Sequence, residues 1–296
     1  MCGIVGLFLK KDDLHPKLGD MLTDMLITMT DRGPDSAGIA IYGKGAEGTV
    51  KITVQSGTPE TAFAGLDSEM GAALGVTPTL KVVDTHAVLT LPGDAAAKAT
   101  EWLEARGLRI MGSGASMEIY KEVGLPKDVA ARFGLRDMGG SHGIGHTRMA
   151  TESAVTTLGA HPFSTADDQC LVHNGSLSNH NQMRRKLAKK GVVTRSENDT
   201  EVGAAYISSR IADGASLGEA LEGTIKDLDG FFTFVTGTKN GFGVVRDPIA
   251  CKPAVMAETD DYVAFASEYR AFADLPGIET ARVWEPEPAT VYFWER

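Results

Sequence analysis

The sequence predicts an α+β fold in which packed β-sheets carry helices on their outer faces. Amphipathic helical patterns at 18–29, 179–190, 200–212 and 216–228 lie between groups of short apolar segments that are typical of strands. The last 66 residues, from residue 231 onward, contain only such strands. Because no strand leads through a Gly-x-Gly-x-x-Gly turn into a helix, the pattern favours stacked sheets over a parallel nucleotide-binding sheet.

The N-terminal elements follow from apolar periodicity. An apolar run at 4–9 predicts a strand, and apolar residues at three-and-four spacing predict the helix that comes next. The pair Gly33-Pro34 ends that helix in a polar loop. Strands are predicted at 39–42 and 50–54, and their closeness along the chain suggests that they form a hairpin.

Residues 59–138 differ in character from the segments on either side. They read as a strand at 87–91, an Ala-rich helix at 94–105, a strand at 108–111 and a second helix at 116–123. A connection of this length far exceeds an ordinary loop. We therefore expect a small α/β lobe inserted in the main fold at about 59–138.

Composition excludes several classes of function. The net charge of −10 disfavours a nucleic-acid surface, and the basic residues at 184–190 have the spacing of a solvated helix face. Three widely spaced cysteines suggest neither a disulfide framework nor a metal site, and no cofactor motif is present. Without a membrane-length apolar run or a signal-peptide pattern, the protein is expected in the cytoplasm.

The chain begins with a cysteine directly after the initiator methionine. If Met1 is removed, as the small Cys2 side chain permits, one residue carries both a thiol and a free α-amine. The α-amine titrates near neutral pH and can act as the base for its own thiol. The alternative is that Cys2 is a small apolar residue at the start of a buried strand.

Polar residues gather at the ends of predicted strands and the starts of predicted helices. The strand at 142–148 runs into one such cluster, and the strand at 169–172 runs into another. The clusters comprise residues 32–35, residues 146–151, His161 with residues 173–175, and residues 198–201.

Together with the N-terminus, these clusters resemble the class II glutamine amidotransferases, which are N-terminal-nucleophile hydrolases. The resemblance covers residues 1 to about 58 and 140 to about 270 and excludes the inserted lobe. The motifs are Cys-Gly-Ile-Val-Gly at 2–6, Arg-Gly-Pro-Asp-Ser at 32–36, His-Thr-Arg-x-Ala-Thr at 146–151, Ala-His-Pro-Phe at 160–163, His-Asn-Gly-x-Leu-x-Asn at 173–179 and Asp-Thr-Glu-Val at 199–202, with weaker matches at 246–253 and 266–268.

The resemblance implies a four-layer αββα sandwich and a catalytic mechanism. Cys2 would attack the side-chain amide of glutamine, with its α-amine shuttling the proton, to give a γ-glutamyl thioester that water hydrolyses. Asn174 and the backbone N–H of Gly175 would form the oxyanion hole. No metal and no cofactor are implied.

The resemblance also implies a set of residues that bind L-glutamine. Arg148 would hold the α-carboxylate, for which a planar guanidinium is suited, and Asp199 would hold the α-ammonium. Thr151 and His161 would line the pocket, and Arg32 would support the nucleophile. For several of these residues taken alone, an ordinary structural role is an alternative interpretation.

Asp199 could be a helix cap, and His161 or His173 an ordinary hydrogen-bonded histidine. Arg148 could form a surface ion pair. The sequence also departs from the family pattern at 152–153, where related enzymes often carry glycine, and this leaves the closure of the glutamine loop open.

Three biological contexts fit the sequence. The recognisable domain reaches almost to Arg296, so we expect a stand-alone glutaminase subunit that passes ammonia to a separate synthase. The chain looks most like the amidotransferase subunits found beside glutamate synthase-like proteins, including N-methylglutamate synthase. The alternatives are a free-standing amidase acting on another amide and a non-catalytic regulatory subunit. Contact with a partner is expected near residues 161–168, and the inserted lobe is a second candidate for this contact.

Overall fold

The computed structural model describes residues 2–150 and 154–296. The strands within these residues are β1 Gly3–Leu9, β2 Ser36–Tyr42, β3 Thr49–Gln55, β4 Thr79–Val83, β5 His86–Pro92, β6 Arg109–Gly114, β7 Met117–Val123, β8 His142–Arg148, β9 Phe163–Ala166, β10 Gln169–Leu177, β11 Gly230–Gly237, β12 Gly241–Arg246, β13 Val255–Glu258, β14 Tyr262–Ala266, β15 Arg282–Trp284 and β16 Val291–Glu295. The helices are α1 Leu18–Thr28, α2 Pro59–Ala62, α3 Leu66–Leu74, α4 Ala96–Ala105, α5 Pro126–Arg132, α6 His180–Ala188, α7 Asp199–Ala212 and α8 Leu217–Asp227.

Two antiparallel sheets form the centre of the molecule. A seven-stranded sheet has the order β15-β13-β14-β1-β8-β2-β7, and a five-stranded sheet has the order β16-β12-β11-β10-β9. Strand β1 lies in the middle of the larger sheet, between β14 and β8. All seven residues of β1 are buried, as expected for a strand covered on both faces.

Three apolar cores separate four layers. Ile4, Ile144, Val172 and Phe242 belong to the core between the two sheets. Helix α1 packs on the outer face of the larger sheet, with Leu22 and Leu26 in that core. Helices α6, α7 and α8 pack on the outer face of the smaller sheet. The predicted four-layer αββα sandwich is confirmed.

The inserted lobe, residues 49–114, has its own sheet and its own core. Its four antiparallel strands lie in the order β4-β5-β3-β6, and the chain runs through them as strand, helices, strand, strand, helix, strand. This is the split β-α-β topology of the ferredoxin-like motif. Helices α3 and α4 cover one face, with Met70, Ala99 and Leu103 fully buried against the sheet.

The structure corrects the predicted limits of the lobe. Strand β3 pairs with β5 and β6 inside the lobe, so the predicted hairpin between 39–42 and 50–54 is wrong. The helix predicted at 116–123 is also wrong, because this segment is β7 and pairs with β2 in the larger sheet. The Lys and Glu residues of this segment favour a helix. In the folded protein, successive side chains of the segment are buried on opposite faces of the sheet, and this burial favours a strand.

Strands β4, β9 and β15 and helices α2, α3 and α5 were not predicted. They are short, and most lie in segments without a clear apolar period. Among the described residues, no helix is long and apolar enough to cross a membrane.

Candidate active site

Cys2 lies immediately before β1, at the edge of a cavity. Its Sγ is 3.9 Å from the carbonyl oxygen of Met149, and the residue is half-buried. Its own carbonyl oxygen accepts two hydrogen bonds, one from Arg32 Nε at 2.9 Å and one from Asn174 Nδ2 at 3.2 Å. Two predicted site residues therefore hold the backbone of the predicted nucleophile.

The following residues fix β1 at this position. Ile4 donates its N–H to Ser267 Oγ at 2.9 Å, and the Ser267 N–H bonds back to the Ile4 carbonyl at 3.0 Å. The next residue, Glu268, forms a 2.9 Å ion pair with Arg32. The weak sequence match at 266–268 therefore corresponds to a support of Cys2, and Arg32 lies behind the nucleophile and not among the residues that line the cavity.

Asn174 and Gly175 lie in β10, which brings them to Cys2 from the second sheet. Strand β10 pairs antiparallel with β11 in one continuous register from Cys170 to Leu177, and this pairing holds both residues in place. Gly175 has a φ of +150°, and a Cβ there would lie 2.0 Å from the carbonyl oxygen of Phe231. No larger residue fits at this point without moving the backbone. Their assignment as an oxyanion hole stays a prediction.

The cavity has a volume of about 760 Å³ and contains most of the predicted site. Cys2, Arg148, His161, Asn174, Gly175 and Asp199 all line it. Thr151, which is predicted to line the pocket, lies outside the described residues.

Arg148 ends β8 and is only 7% exposed, so the alternative of a surface ion pair is wrong. Its Nη1 lies 3.4 Å from the carbonyl oxygen of Ala154, and the chain folds closely around it at Gly159. A buried guanidinium beside a cavity provides a fixed positive charge for an anionic ligand group.

Asp199 is the first residue of α7 but does not cap it. The cap is Asn198, whose side chain accepts the N–H of Thr200, so the capping alternative for Asp199 is wrong. One Asp199 oxygen accepts the Leu177 N–H at 2.9 Å, and the other lies 3.7 Å from His173 Nδ1. Burial raises the pKa of this carboxyl, but these partners outweigh burial and lower the pKa to about 2. Asp199 is therefore ionised at neutral pH.

Three buried histidines form a cluster next to Asp199. His161 and His173 both bond to the hydroxyl of Thr200, at 2.7 and 3.1 Å, and His146 stacks on His161 at 4.0 Å. His146 donates through Nε2 to the His173 carbonyl at 3.1 Å. Burial lowers the pKa of His146 to about 3 and holds the pKa of His161 well below its usual value, so both rings are neutral near pH 7.

The sequence of this chain is similar to known glutamine amidotransferases along its whole length. It is 66% identical over 297 residues to the glutamine amidotransferase-like protein GlxB of Rhizobium meliloti. The alignment covers 100% of this chain and 98% of that protein. It is 34% identical to a putative glutamine amidotransferase of Methanothermobacter thermautotrophicus, with both proteins covered completely. A glutamine amidotransferase domain model matches residues 146–274.

The chain belongs to the class II glutamine amidotransferases. This is a family of enzymes, and solved structures agree with the fold. The B. subtilis glutamine phosphoribosylpyrophosphate amidotransferase has a TM-score of 0.63 at 19% identity, covering 99% of this chain. This chain spans 47% of that protein's length, so the likeness concerns the fold of this part alone.

This class II amidotransferase also has residues around the cavity that the sequence did not single out. Lys252 and Phe231 line the mouth, with the Lys252 ammonium 4.9 Å from the Phe231 ring centre. The loop that carries Lys252 is held by the buried Arg246, which donates to the carbonyls of Ala250 and Lys252. The weak match at 246–253 was the available signal. Among the described residues, no group of acidic, His or Cys side chains could hold a metal ion.

The segment predicted to contact a partner is partly accessible. Residues 161–163 and Asp168 are buried, residues 164–166 are partly exposed, and Asp167 is exposed. Asp168 accepts hydrogen bonds from Ala115, Ser116 and Met117, and so ties β9 and β10 to the strand junction at the base of the lobe. The expected partner contact in this segment stays a prediction.

Proposed function

We propose that this chain hydrolyses the side-chain amide of L-glutamine to glutamate and ammonia, with Cys2 as the nucleophile. We also propose that residues 1–296 form one amidotransferase domain that carries the lobe as an insertion. The observation that carries the proposal is the composition of the cavity. A thiol, a buried guanidinium and an ionised carboxylate share it, at Cys2, Arg148 and Asp199.

Substrate binding uses the two fixed charges. The guanidinium of Arg148 takes the α-carboxylate of glutamine in a bidentate contact. The carboxylate of Asp199 takes the α-ammonium, for which its low pKa keeps it charged. The side-chain amide is then directed toward Cys2. We place Thr151 and His161 in the wall of this pocket.

The chemistry has two steps. The Cys2 sulfur attacks the amide carbon of the side chain, the carbon–nitrogen bond breaks, and ammonia leaves with the thiol proton, relayed by the Cys2 α-amine once Met1 has been removed. Water then attacks the thioester carbon, the carbon–sulfur bond breaks, and glutamate and the thiol are released. The Gly175 N–H and an N–H of the Asn174 amide stabilise the oxygen that becomes negative in both steps.

We further propose that the ammonia passes to a separate subunit in the cytoplasm, of the glutamate synthase-like or N-methylglutamate synthase type. The support for this proposal is the resemblance of the chain to the amidotransferase subunits found beside such synthases.

Three amides that differ by one charged group test the substrate. These are L-glutamine, glutaramic acid, which lacks the α-ammonium, and 4-aminobutanamide, which lacks the α-carboxylate. We expect kcat/KM for glutamine to exceed each of the others by at least about 100-fold, since loss of either group leaves a fixed charge in the cavity without its ligand.

Comparable rates on all three amides would favour the free-standing amidase. Intact mass decides the remaining alternative. If Met1 is retained and no amide is hydrolysed, the chain is a non-catalytic subunit. A glutamine-like electrophile should label Cys2 and spare the exposed Cys251, which serves as the internal control.

A further inference from the structure

Two segments that line the cavity are held from behind by residues that the proposed mechanism does not use. We call them wall A, residues 154–162, and wall B, residues 195–199. Wall A contributes Leu158, Gly159 and His161 to the cavity, and wall B contributes Ser196 and Asp199.

Wall A rests on Lys121, in the middle of β7. This side chain is 4% exposed, and its ammonium donates to the carbonyl oxygens of Ala160 at 2.8 Å and Pro162 at 3.1 Å. These two carbonyls flank His161. A Cβ on Gly38 would lie 2.0 Å from the His161 carbonyl oxygen, so the wall also packs directly on the backbone of β2. Lys121 therefore fixes the position of His161.

The next residue of β7 joins wall A to the inserted lobe. Glu122 is 7% exposed, and one of its carboxylate oxygens accepts the hydroxyl of Thr157 in wall A. The other oxygen accepts the hydroxyl of Thr85 at 3.0 Å. Thr85 lies in the turn between β4 and β5 of the lobe. A single buried carboxylate thus bridges the lobe and the cavity wall.

Wall B has a separate tie to the same lobe. The Arg195 guanidinium donates to Glu104 on α4 at 2.6 Å. The backbone N–H groups of Arg195 and Ser196 both bond to the Glu201 carboxylate, at 2.7 and 2.6 Å. Wall B is therefore joined to α4 of the lobe by an exposed ion pair, and to α7 of the main fold by the two backbone hydrogen bonds.

We propose that Lys121, Glu122 and Arg195 are positioning residues for the cavity walls: the inserted lobe acts on wall A through Glu122 and on wall B through Arg195, Lys121 fixes wall A from the main sheet, and together these contacts set the affinity for glutamine. This inference rests on the proposed function for its substrate. The reason is preorganisation: walls that are already ordered lose less freedom when substrate binds. None of the three residues lines the cavity, so none is assigned contact with substrate.

The decisive variant is Thr85→Val, because Thr85 lies in the lobe and is absent from the cavity. We expect it to raise the KM for glutamine about 3- to 10-fold, because the part-buried hydroxyl loses its hydrogen bonds to Glu122 and to His86 Nδ1, with kcat changed less than 2-fold. In a Glu122→Ala background the same change should have no further effect, because the bridge is already broken. Glu122→Gln should restore most of the affinity, because the amide can still bond both hydroxyls.

Thr49→Val is the matched control. Thr49 is also in the lobe, and its hydroxyl bonds locally to the Ala46 carbonyl at 2.8 Å, with no path to either wall. The KM should stay unchanged. If Thr85→Val changes the melting temperature but not KM, the bridge is merely structural and the proposal is overturned.

The tie to wall B is tested by a charge swap. Arg195→Glu and Glu104→Arg should each raise KM about 2-fold at low salt, and the double variant should regain the original KM. Failure of the swap to rescue would overturn the role of Arg195.

A measurement that needs no glutamine separates this proposal from the proposed function. The rate at which iodoacetamide alkylates Cys2, followed by mass spectrometry, should rise at least about 3-fold in Glu122→Ala because loosened walls admit the reagent more often. If the parent protein hydrolyses no glutamine but this rate rises, the function fails and the coupling stands. If the rate and KM are both unchanged in the folded variant, the coupling fails.

Discussion

The two sides of the cavity are built in different ways. On one side Cys2 directly precedes β1, and Asn174 and Gly175 lie in β10, where antiparallel pairing with neighbouring strands fixes them. Arg148 is held in the same way at the end of β8. On the other side, side chains hold walls A and B, which contain His161 and Asp199. The proposed reacting groups and Arg148 are therefore placed by the sheets, whereas His161 and Asp199 depend on contacts that single substitutions can remove. The comparison predicts that turnover and affinity are separable.

The largest effect is expected for Cys2→Ala. It removes the proposed nucleophile and should lower glutamine hydrolysis by more than about 1,000-fold. The fold should be retained, because little apolar area is lost and the backbone contacts of residue 2 remain. An activity assay measures the loss of hydrolysis, and thermal melting followed by circular dichroism measures whether the fold is retained. Full activity in the variant would remove Cys2 from the mechanism, and Cys251→Ala serves as the control.

Asn174→Ala should come next and should act on turnover. Loss of an oxyanion donor typically lowers kcat about 100- to 1,000-fold. In addition, the Cys2 carbonyl loses one of its two hydrogen bonds. Because charge on the oxygen develops only during attack, KM should change little. Steady-state kinetics measure the division, and a change confined to KM would place Asn174 in substrate binding instead.

Arg148→Lys should act mainly on affinity. Lysine keeps the charge but not the planar pair of donors, and we expect KM to rise about 10- to 100-fold with a small change in kcat. The group that Arg148 holds is the same in the bound substrate and in the transition state. If kcat instead fell by about the same factor and KM did not change, Arg148 would act in turnover, contrary to its proposed role in substrate binding.

Asp199→Asn has the smallest expected effect of these substitutions. It acts on the stability of the folded state and tests the charge in the wall. The pKa of Asp199 is about 2, below the ordinary value of 3.8, so the ionised form stabilises the folded state above about pH 4. This contribution, on the order of 2 kcal/mol, is lost as the pH falls from 4 to 2. Denaturant unfolding at several pH values should show a weaker acid dependence for Asp199→Asn than for the parent protein.

The sequence predicted the residues that line the cavity better than the contacts that hold its walls. Cys2, Arg148 and Asn174 belong to short motifs whose residues are adjacent in the chain, and so linear inspection finds them. The roles of Lys121 and Glu122 were not predicted, because they depend on the pairing of β7 with β2, across some eighty residues. Read as a helix, the same segment would have pointed these side chains elsewhere.

The layered fold was predictable for the same reason, and the lobe was not. The helices of the main fold carry clear three-and-four periodicity, whereas β4 is an exposed edge strand with little apolar pattern. The lobe's true start at β3 is set by long-range pairing that apolar periodicity does not contain. Asn198 illustrates the finer limit: Asn and Asp are adjacent, both are good caps, and only geometry distinguishes them.

The central place of β1 also bears on how the protein matures. Strand β1 pairs with β8, which lies just before the midpoint of the chain, and with β14, which lies close to its end. A sheet with such distant partners completes late. Throughout that interval the amino end of β1 is not yet enclosed by its neighbouring strands. Under the proposed mechanism, removal of Met1 can therefore precede folding, without any later opening of the finished site.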